Sequence, residues 1–277
     1  MTMNSPRSHV PGPRGNKTNS KLETRNPKLS PSAGMKLQQF IAHAGISSRR
    51  GAEAYIKEGR VTVNGQKVTD VTARVNADKD HIKVDGHLIR SEKKIYIVMN
   101  KPEGCITAVA DDKGRRTVLD VLEGGIKERI YPVGRLDFNT TGALILTNDG
   151  DFANMIMHPK FEIPKRYVAK IKGRLESFAL NKLKYGFKMK EEDGSEGRFV
   201  KAADAGIYKR NDANDLVYIV ITEGMNHQVK RMMEAVGASV VRLKRENVGP
   251  VTAAGLEPGQ WRHMTQAEIK YFTRGKK

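Results

Sequence analysis

The pattern of apolar residues changes character once along the chain, near Ile95, and that change restricts it to two differently built parts. Before Ile95, apolar residues fall into short groups with helical or alternating spacing. After it the chain carries longer strands, opening with Ile95-Tyr96-Ile97-Val98-Met99, a run apolar enough to be buried on both faces of a sheet.

In the first part, Leu37, Phe40, Ile41 and Ala44 recur at i, i+3, i+4 and i+7, which predicts one face of a short helix that Gly45 stops. A second helix follows, capped by Ser47 or Ser48, with Ala52, Tyr55 and Ile56 as its apolar face and Gly59 just past its end. Val61 and Val63 alternate with polar residues before Asn64-Gly65, a strong two-residue turn signal, and Lys67-Val68 begins the return strand. Asp85-Gly86, between Ile82, Val84 and Leu88, signals a further hairpin. A helix-helix-hairpin module over 35–92 is the expectation.

In the second part, strands are expected at Ala143 to Leu146, Tyr167 to Ile171, Val217 to Ile221 and Val240 to Leu243, with helices near 151–157, 176–185 and 227–236. This alternation predicts an α+β chain whose larger domain, 93–277, is built on a mainly antiparallel mixed sheet with flanking helices. Residues 1–34 hold five of the eleven prolines, six basic residues and one acid, Glu23, so they cannot bury enough apolar surface to fold and read as a disordered basic tail. Whether that tail is a linker or an RNA-binding arm stays open.

Charge narrows the partners. Lysine and arginine number 49 against 31 acidic residues, a net +18, as expected of a protein that works on a polyanion. Nucleic acid leads, because no apolar run approaches the roughly 18 residues that span a bilayer and no basic amphipathic helix stands out. The single cysteine, Cys105, excludes an internal disulfide framework and suits a reducing cytoplasm. No phosphate loop, dinucleotide loop, H-E-x-x-H or paired C-x-x-C occurs, so no nucleotide cofactor, other cofactor or metal is expected.

Two constellations carry chemistry. Ser47, Arg49 and Arg50 stand at the start of the second helix, with Arg60 and Lys67 beyond it; a helix amino terminus presents unpaired N-H groups to phosphate, although a solvated basic face would look the same. Farther on, Gly134-Arg135-Leu136-Asp137 precedes Phe138-Asn139-Thr140-Thr141-Gly142 and an apolar strand. If Arg135 to Asp137 are extended, both charges project to one side and Leu136 to the core, with Asn139 to Gly142 as a polar turn holding the carboxylate at a cleft. By itself such a pair is more often a surface ion pair. Val229, Met232, Met233 and Val236 form an apolar helix face ended by Gly237, with Lys230 displaced from it and His227 and Gln228 in the first turn, where capping or structural roles compete with substrate contact.

The stretch from Leu37 through Ile46-Ser47-Ser48-Arg49-Arg50 to Val61-Thr62-Val63-Asn64-Gly65 resembles the S4-type RNA-binding module. Gly-Arg-Leu-Asp with the following Thr-Thr-Gly resembles the signature of the ribosomal RNA pseudouridine synthases, in the branch with an N-terminal S4-type domain. Lys101-Pro102-Glu103-Gly104, Pro164-Lys165-Arg166-Tyr167-Val168, the stretch Glu223 to Met232, and Gly259-Gln260-Trp261-Arg262 with Thr265 and Glu268 are similar to further motifs of that family, in the same order. Phe138 and Lys230 depart from its commoner residues, a polar side chain and an arginine.

The resemblance implies isomerisation of a uridine to pseudouridine in ribosomal RNA without a cofactor. It implies Asp137 as the catalytic carboxylate, Tyr167 against the uracil, Lys230 paired with the aspartate, and Arg135 supporting the flipped nucleotide or filling its vacated place. It also implies binding of structured RNA through the first two helices, and a cytoplasmic monomer. The segment Thr147 to Tyr167, with Met157-His158-Pro159, looks more like members acting on large-subunit (23S) RNA than on 16S or other RNA. The rival readings are an RNA-binding assembly factor without chemistry, and an S4-bearing methyltransferase, for which the chain lacks a glycine-rich loop.

Overall fold

The computed structural model of the chain describes residues 1, 34–122, 125–189 and 197–274. The basic tail expected over 1–34 lies, but for its two end residues, outside the described residues.

The first part runs β1 (Met35–Lys36), α1 (Leu37–His43), α2 (Arg49–Lys57), β2 (Val61–Val63), β3 (Gln66–Lys67), β4 (Arg74–Val75), β5 (Ile82–Val84) and β6 (His87–Leu88). Ser48, and not Ser47, caps α2, its hydroxyl accepting from the Gly51 amide at 3.1 Å. Asn64-Gly65 and Asp85-Gly86 have positive φ at both residues, 52° and 83° in one turn and 49° and 81° in the other, as a two-residue hairpin requires. The two hairpins join side by side as the sheet β3-β2-β5-β6. Leu37, Phe40 and Ile41 of α1 and Ala52 and Ile56 of α2 close a core over Val61, Val63, Ile82 and Val84.

The second part contains β7 (Tyr96–Lys101), α3 (Val118–Val121), β8 (Tyr131–Pro132), β9 (Thr140–Thr147), α4 (Gly150–Met157), β10 (Lys165–Ile171), α5 (Ser177–Tyr185), β11 (Phe187–Met189), β12 (Arg198–Val200), β13 (Asp204–Arg210), β14 (Asp215–Ile221), α6 (Gln228–Ala235), β15 (Val240–Val248), β16 (Val251–Thr252), β17 (Trp261–His263) and α7 (Gln266–Thr273). Its main sheet has the order β13-β14-β10-β15-β9-β7-β17, and its strands pair antiparallel except at β15 and β9. The motifs near residues 259–268 become β17 and the start of α7, where Thr265 and Glu268 cap each other and Glu268 also holds Arg262 at 2.7 Å.

The apolar run that opens this part is buried on both faces, as its composition predicts. Ile97 and Met99 of β7 and Leu144 and Leu146 of β9 join a core with Val118, Ala179, Leu183, Val229, Met232 and Met233 from α3, α5 and α6. Val98, Ala143 and Ile145 face the other way, onto Phe152 and Ile156 of α4 and Phe272 of α7. Among the described residues no helix is long and apolar enough to cross a membrane.

The parallel pair decides where chemistry can sit. It sets Thr140, Thr141 and Gly142 beside Leu243, Lys244 and Arg245, so the start of β9 lies against the middle of β15. The polar turn expected over Asn139 to Gly142 is therefore shorter than the sequence indicates. Phe138 and Asn139 make the turn, and Thr140 to Gly142 are already strand because β15 pairs with them. Gly142 is required there: its φ is +105°, and a Cβ would run into the Arg245 carbonyl.

Candidate active site

Asp137 sits on the connection into β9, held from several directions. Its own carbonyl accepts from the Thr140 amide at 3.0 Å, and its Oδ2 accepts from the Thr140 hydroxyl at 3.4 Å. The preceding residue, Leu136, is buried in the core, and its amide donates to the Thr107 hydroxyl oxygen at 3.1 Å while that hydroxyl donates to the Leu136 carbonyl at 2.7 Å. Arg135 and Asp137 thus face the same cavity on either side of a buried leucine, the alternation an extended segment predicts. Beneath the turn lies Lys101, at the end of β7 and 0 % exposed. Its ammonium donates to the carbonyls of Pro102 at 3.0 Å, Phe138 at 3.3 Å and Thr140 at 3.0 Å. Burial pushes the Lys101 ammonium below the usual lysine range, opposed by the nearby Cys105 and Asp137. Phe138, the departure from the family pattern, is exposed at the turn.

The start of α6 supplies the partners. Val229, Met232 and Met233 are buried, which turns Lys230 sideways so that its Nζ stands 3.0 Å from Asp137 Oδ2. His227 adopts φ +48°, uncommon for a residue with a side chain, and its Nε2 stands 3.4 Å from Asp137 Oδ1. An aspartate with a nitrogen against each of its two oxygens is fixed in orientation as well as position. Arg135 reaches the same loop, donating to Asn226 Oδ1 at 3.3 Å. Gln228 is buried and engaged within the protein: its Oε1 accepts from the Met225 amide at 3.0 Å and its Nε2 donates to Glu223 Oε1 at 2.8 Å. It braces the loop ahead of α6 and leaves His227 without a side-chain capping role.

These groups open onto a cavity of about 310 Å³, lined by Arg135, Asp137, Tyr167, His227 and Gln228 together with Lys165 and Arg245. That volume is at the lower end of small-molecule sites and has room for one nucleobase. Tyr167, on β10, is 8 % exposed, and its hydroxyl accepts from Arg245 Nη1 at 3.5 Å. Burial brings the Lys165 ammonium down to about 8, with Arg245 adding repulsion and Glu223 opposing it. Sequence reasoning assigned no role to Arg245, Lys165 or Lys101. The available signal for Arg245 was its phase in β15, two residues from the buried Leu243 and hence on the same face of the strand.

The five basic-module residues lie apart from this cavity. Arg49 and Arg50 are exposed at the start of α2, Ser47 donates to the Ser48 carbonyl, and Lys67 is exposed on β3 with its side chain over Gly59. Arg60 is differently placed: Asp85 holds its guanidinium through two bonds at 2.8 and 2.6 Å, Glu58 accepts at 3.2 Å, and the ring of Tyr55 lies 4.1 Å beneath. It ties α2 to the second hairpin.

Residues 95–235 match the family described as RNA pseudouridylate synthase, and residues 35–82 match the S4 domain. A Bacillus subtilis protein named ribosomal large subunit pseudouridine synthase B is 45% identical over 235 residues, covering 85% of this chain and 94% of its own length. An uncharacterized RNA pseudouridine synthase of Aquifex aeolicus is 40% identical over 235 residues, covering 85% of this chain and 92% of its own length. Among solved structures, a crystal structure of a pseudouridylate synthase superposes with a TM-score of 0.59 at 29% identity, over 86% of this chain and 99% of that one. With an S4 domain ahead of a sheet-based catalytic domain, the chain belongs to the RNA pseudouridylate synthases.

Proposed function

We propose that the chain isomerises a uridine of large-subunit ribosomal RNA, with the cavity around Asp137 as the reaction chamber. The observation that carries this reading is the pairing of Asp137 with Lys230 at 3.0 Å and His227 at 3.4 Å in a cavity that Tyr167 also lines. The large-subunit assignment is supported by the names of the Bacillus subtilis relative and of a Pseudomonas aeruginosa relative that is 39% identical over 242 residues. The division supporting this is a tail over 1–34, an S4-type domain over 35–92 and a catalytic domain over 93–277. The expected setting is the cytoplasm, with the chain acting as a monomer.

The reaction breaks the bond from ribose C1′ to uracil N1, turns the base, joins C1′ to C5, and moves the C5 hydrogen out while N1 gains one. Asp137 supplies the carboxylate that engages the nucleotide, and Lys230 and His227 hold it in the geometry of attack. A base stacked in a stem cannot reach this cavity, so the nucleotide is turned out, at an unstacking cost of roughly a few kcal/mol. Arg135, exposed at the rim, is placed to support the everted nucleotide or the gap it leaves. Tyr167 forms a wall for the base. Ser47, Arg49, Arg50 and Lys67 offer phosphate contacts that offset the unstacking.

Ribosomal RNA carrying tritium at uridine C5 tests the reaction, because each turnover expels that hydrogen. The wild-type chain should release tritium, and Asp137→Asn should abolish release while leaving RNA affinity within about twofold, since phosphate contacts dominate binding. Binding without release by the wild type would make the chain an RNA-binding assembly factor, and release by Asp137→Asn would remove the carboxylate from its role. Mapping pseudouridines in ribosomal RNA with and without the gene identifies the uridine.

A further inference from the structure

Isomerisation by Asp137 accounts for one end of the nucleotide and leaves the other open: when the C1′–N1 bond breaks, its electron pair stays with the uracil. Among the described residues, three buried side-chain atoms lack a hydrogen-bond partner, and only one of them, Arg245 Nη2, belongs to a residue lining the cavity. Arg245 is 4 % exposed. Its Nε donates to the Ala143 carbonyl at 2.8 Å, which pins the guanidinium to β9, and its Nη1 donates to the Tyr167 hydroxyl at 3.5 Å. A buried charged donor is ordinarily satisfied, so a planar group fixed by two bonds with its last nitrogen unused is prepared for a ligand that arrives.

We propose that Arg245 is a catalytic residue that receives the departing uracil, its Nη2 donating to a base carbonyl oxygen and stabilising the negative charge that develops there. This rests on reading the cavity as the site of uridine isomerisation. Heterolysis places the electron pair on N1, from which the ring spreads it onto O2 and O4. A preorganised donor at a carbonyl oxygen meets charge that exists fully only after the bond has begun to break, so it accelerates the step without merely tightening binding. As C5 bonds to C1′ the charge is withdrawn from the oxygen and the base becomes neutral; the C5 proton is then lost to solvent and N1 takes up a proton from it, so the product is neutral and isomeric with uridine. An arginine suits the place because its planar guanidinium presents several donors in a fixed geometry, so the bond to Ala143 also aims the remaining nitrogens. Lys165 lines the same cavity and adds positive charge that favours an anionic base there.

The test compares full-length wild type, Arg245→Met and Arg245→Lys in single-turnover reactions on large-subunit RNA transcribed with uridine or with 5-fluorouridine, whose base is the better leaving group. Formation of the C-linked nucleoside is read by mass spectrometry after digestion; 5-fluorouridine has no C5 proton to lose, so its product keeps the fluorine and is read as the C-linked nucleoside or its water adduct at C6. Arg245→Met should lose roughly a hundredfold or more in rate on uridine with RNA affinity within about twofold, a loss of the size seen when one oxyanion donor is removed. On 5-fluorouridine the deficit should shrink by at least tenfold, and Arg245→Lys should recover part of the rate on both. A residue that only shapes the fold would slow both RNAs equally, and that result, or an unimpaired Arg245→Met, overturns the assignment while leaving the reading of the cavity intact. Should the methionine variant not fold, Arg245→Lys carries the same comparison with a smaller deficit. A wild-type chain that converts neither RNA overturns both.

Discussion

Lys101 illustrates how much of this site is held by a residue that has no exposure to the cavity's solvent. A lysine at the end of a strand that is buried on both faces must either snorkel outward or find acceptors inside, and here three carbonyls, two of them at the Asp137 turn, accept its hydrogen bonds. Lys101→Met keeps the stem and removes the donors. The substitution relieves the burial of a charge and leaves three carbonyls with one partner fewer, so the expected net loss is about 2–4 kcal/mol by urea unfolding. Turnover should fall further than stability, because the backbone turn that positions Asp137 then loses its support from below while the side-chain contacts to Lys230 and His227 remain. An unchanged unfolding midpoint would mean that the turn is supported without the ammonium.

Between elements, the parallel pairing of β9 with β15 is the device that assembles the cavity. Antiparallel neighbours bring ends together through short hairpins, whereas β9 and β15 are separated by most of the domain and meet only through long-range packing. Their register sets Thr140, three residues after Asp137, beside Leu243 and Gly142 beside Arg245, so that Asp137 and Arg245 line one cavity, and α6, which immediately precedes β15, then delivers Lys230 and His227. Gly142 permits the approach. Gly142→Ala should cost at least about 2 kcal/mol, from the φ of +105° together with the collision with the Arg245 carbonyl, and should reduce turnover in the fraction that stays folded. Thermal unfolding and single-turnover rates measured side by side check this; an alanine accepted without loss would show that the seam can open.

The molecule as a whole has one core in its first part, from Leu37 to Ile89, and a core on each side of the sheet in its second part, from Ile95 onward. With a net charge of +18, binding should be strongly salt-dependent. Arg49 and Arg50 are exposed on the first part, while Arg60 is occupied by Asp85 and Glu58. The double substitution Arg49→Ala with Arg50→Ala should therefore lower the slope of log affinity against log salt by roughly 1–2 while sparing the chemical step once RNA is saturating. A slope unchanged from wild type would move the phosphate contacts elsewhere.

Local signals in the sequence determined the elements. Asn64-Gly65 and Asp85-Gly86 became hairpin turns because both positions need positive φ, Ser48 became a cap because its hydroxyl reaches an otherwise unpaired amide, and Val229, Met232 and Met233 fell on one helix face because 3.6 residues make a turn. Motif order likewise indicated the reaction and singled out Asp137. Tertiary structure alone decided the rest. That β9 runs parallel to β15, that Lys101 spends its charge under the turn, that Arg60 and Gln228 are taken up by neighbours, and that Arg245 keeps one nitrogen unused all depend on contacts between residues distant in the chain. Spacing along a sequence reports the period of one strand or helix and says nothing of which other strand will lie beside it.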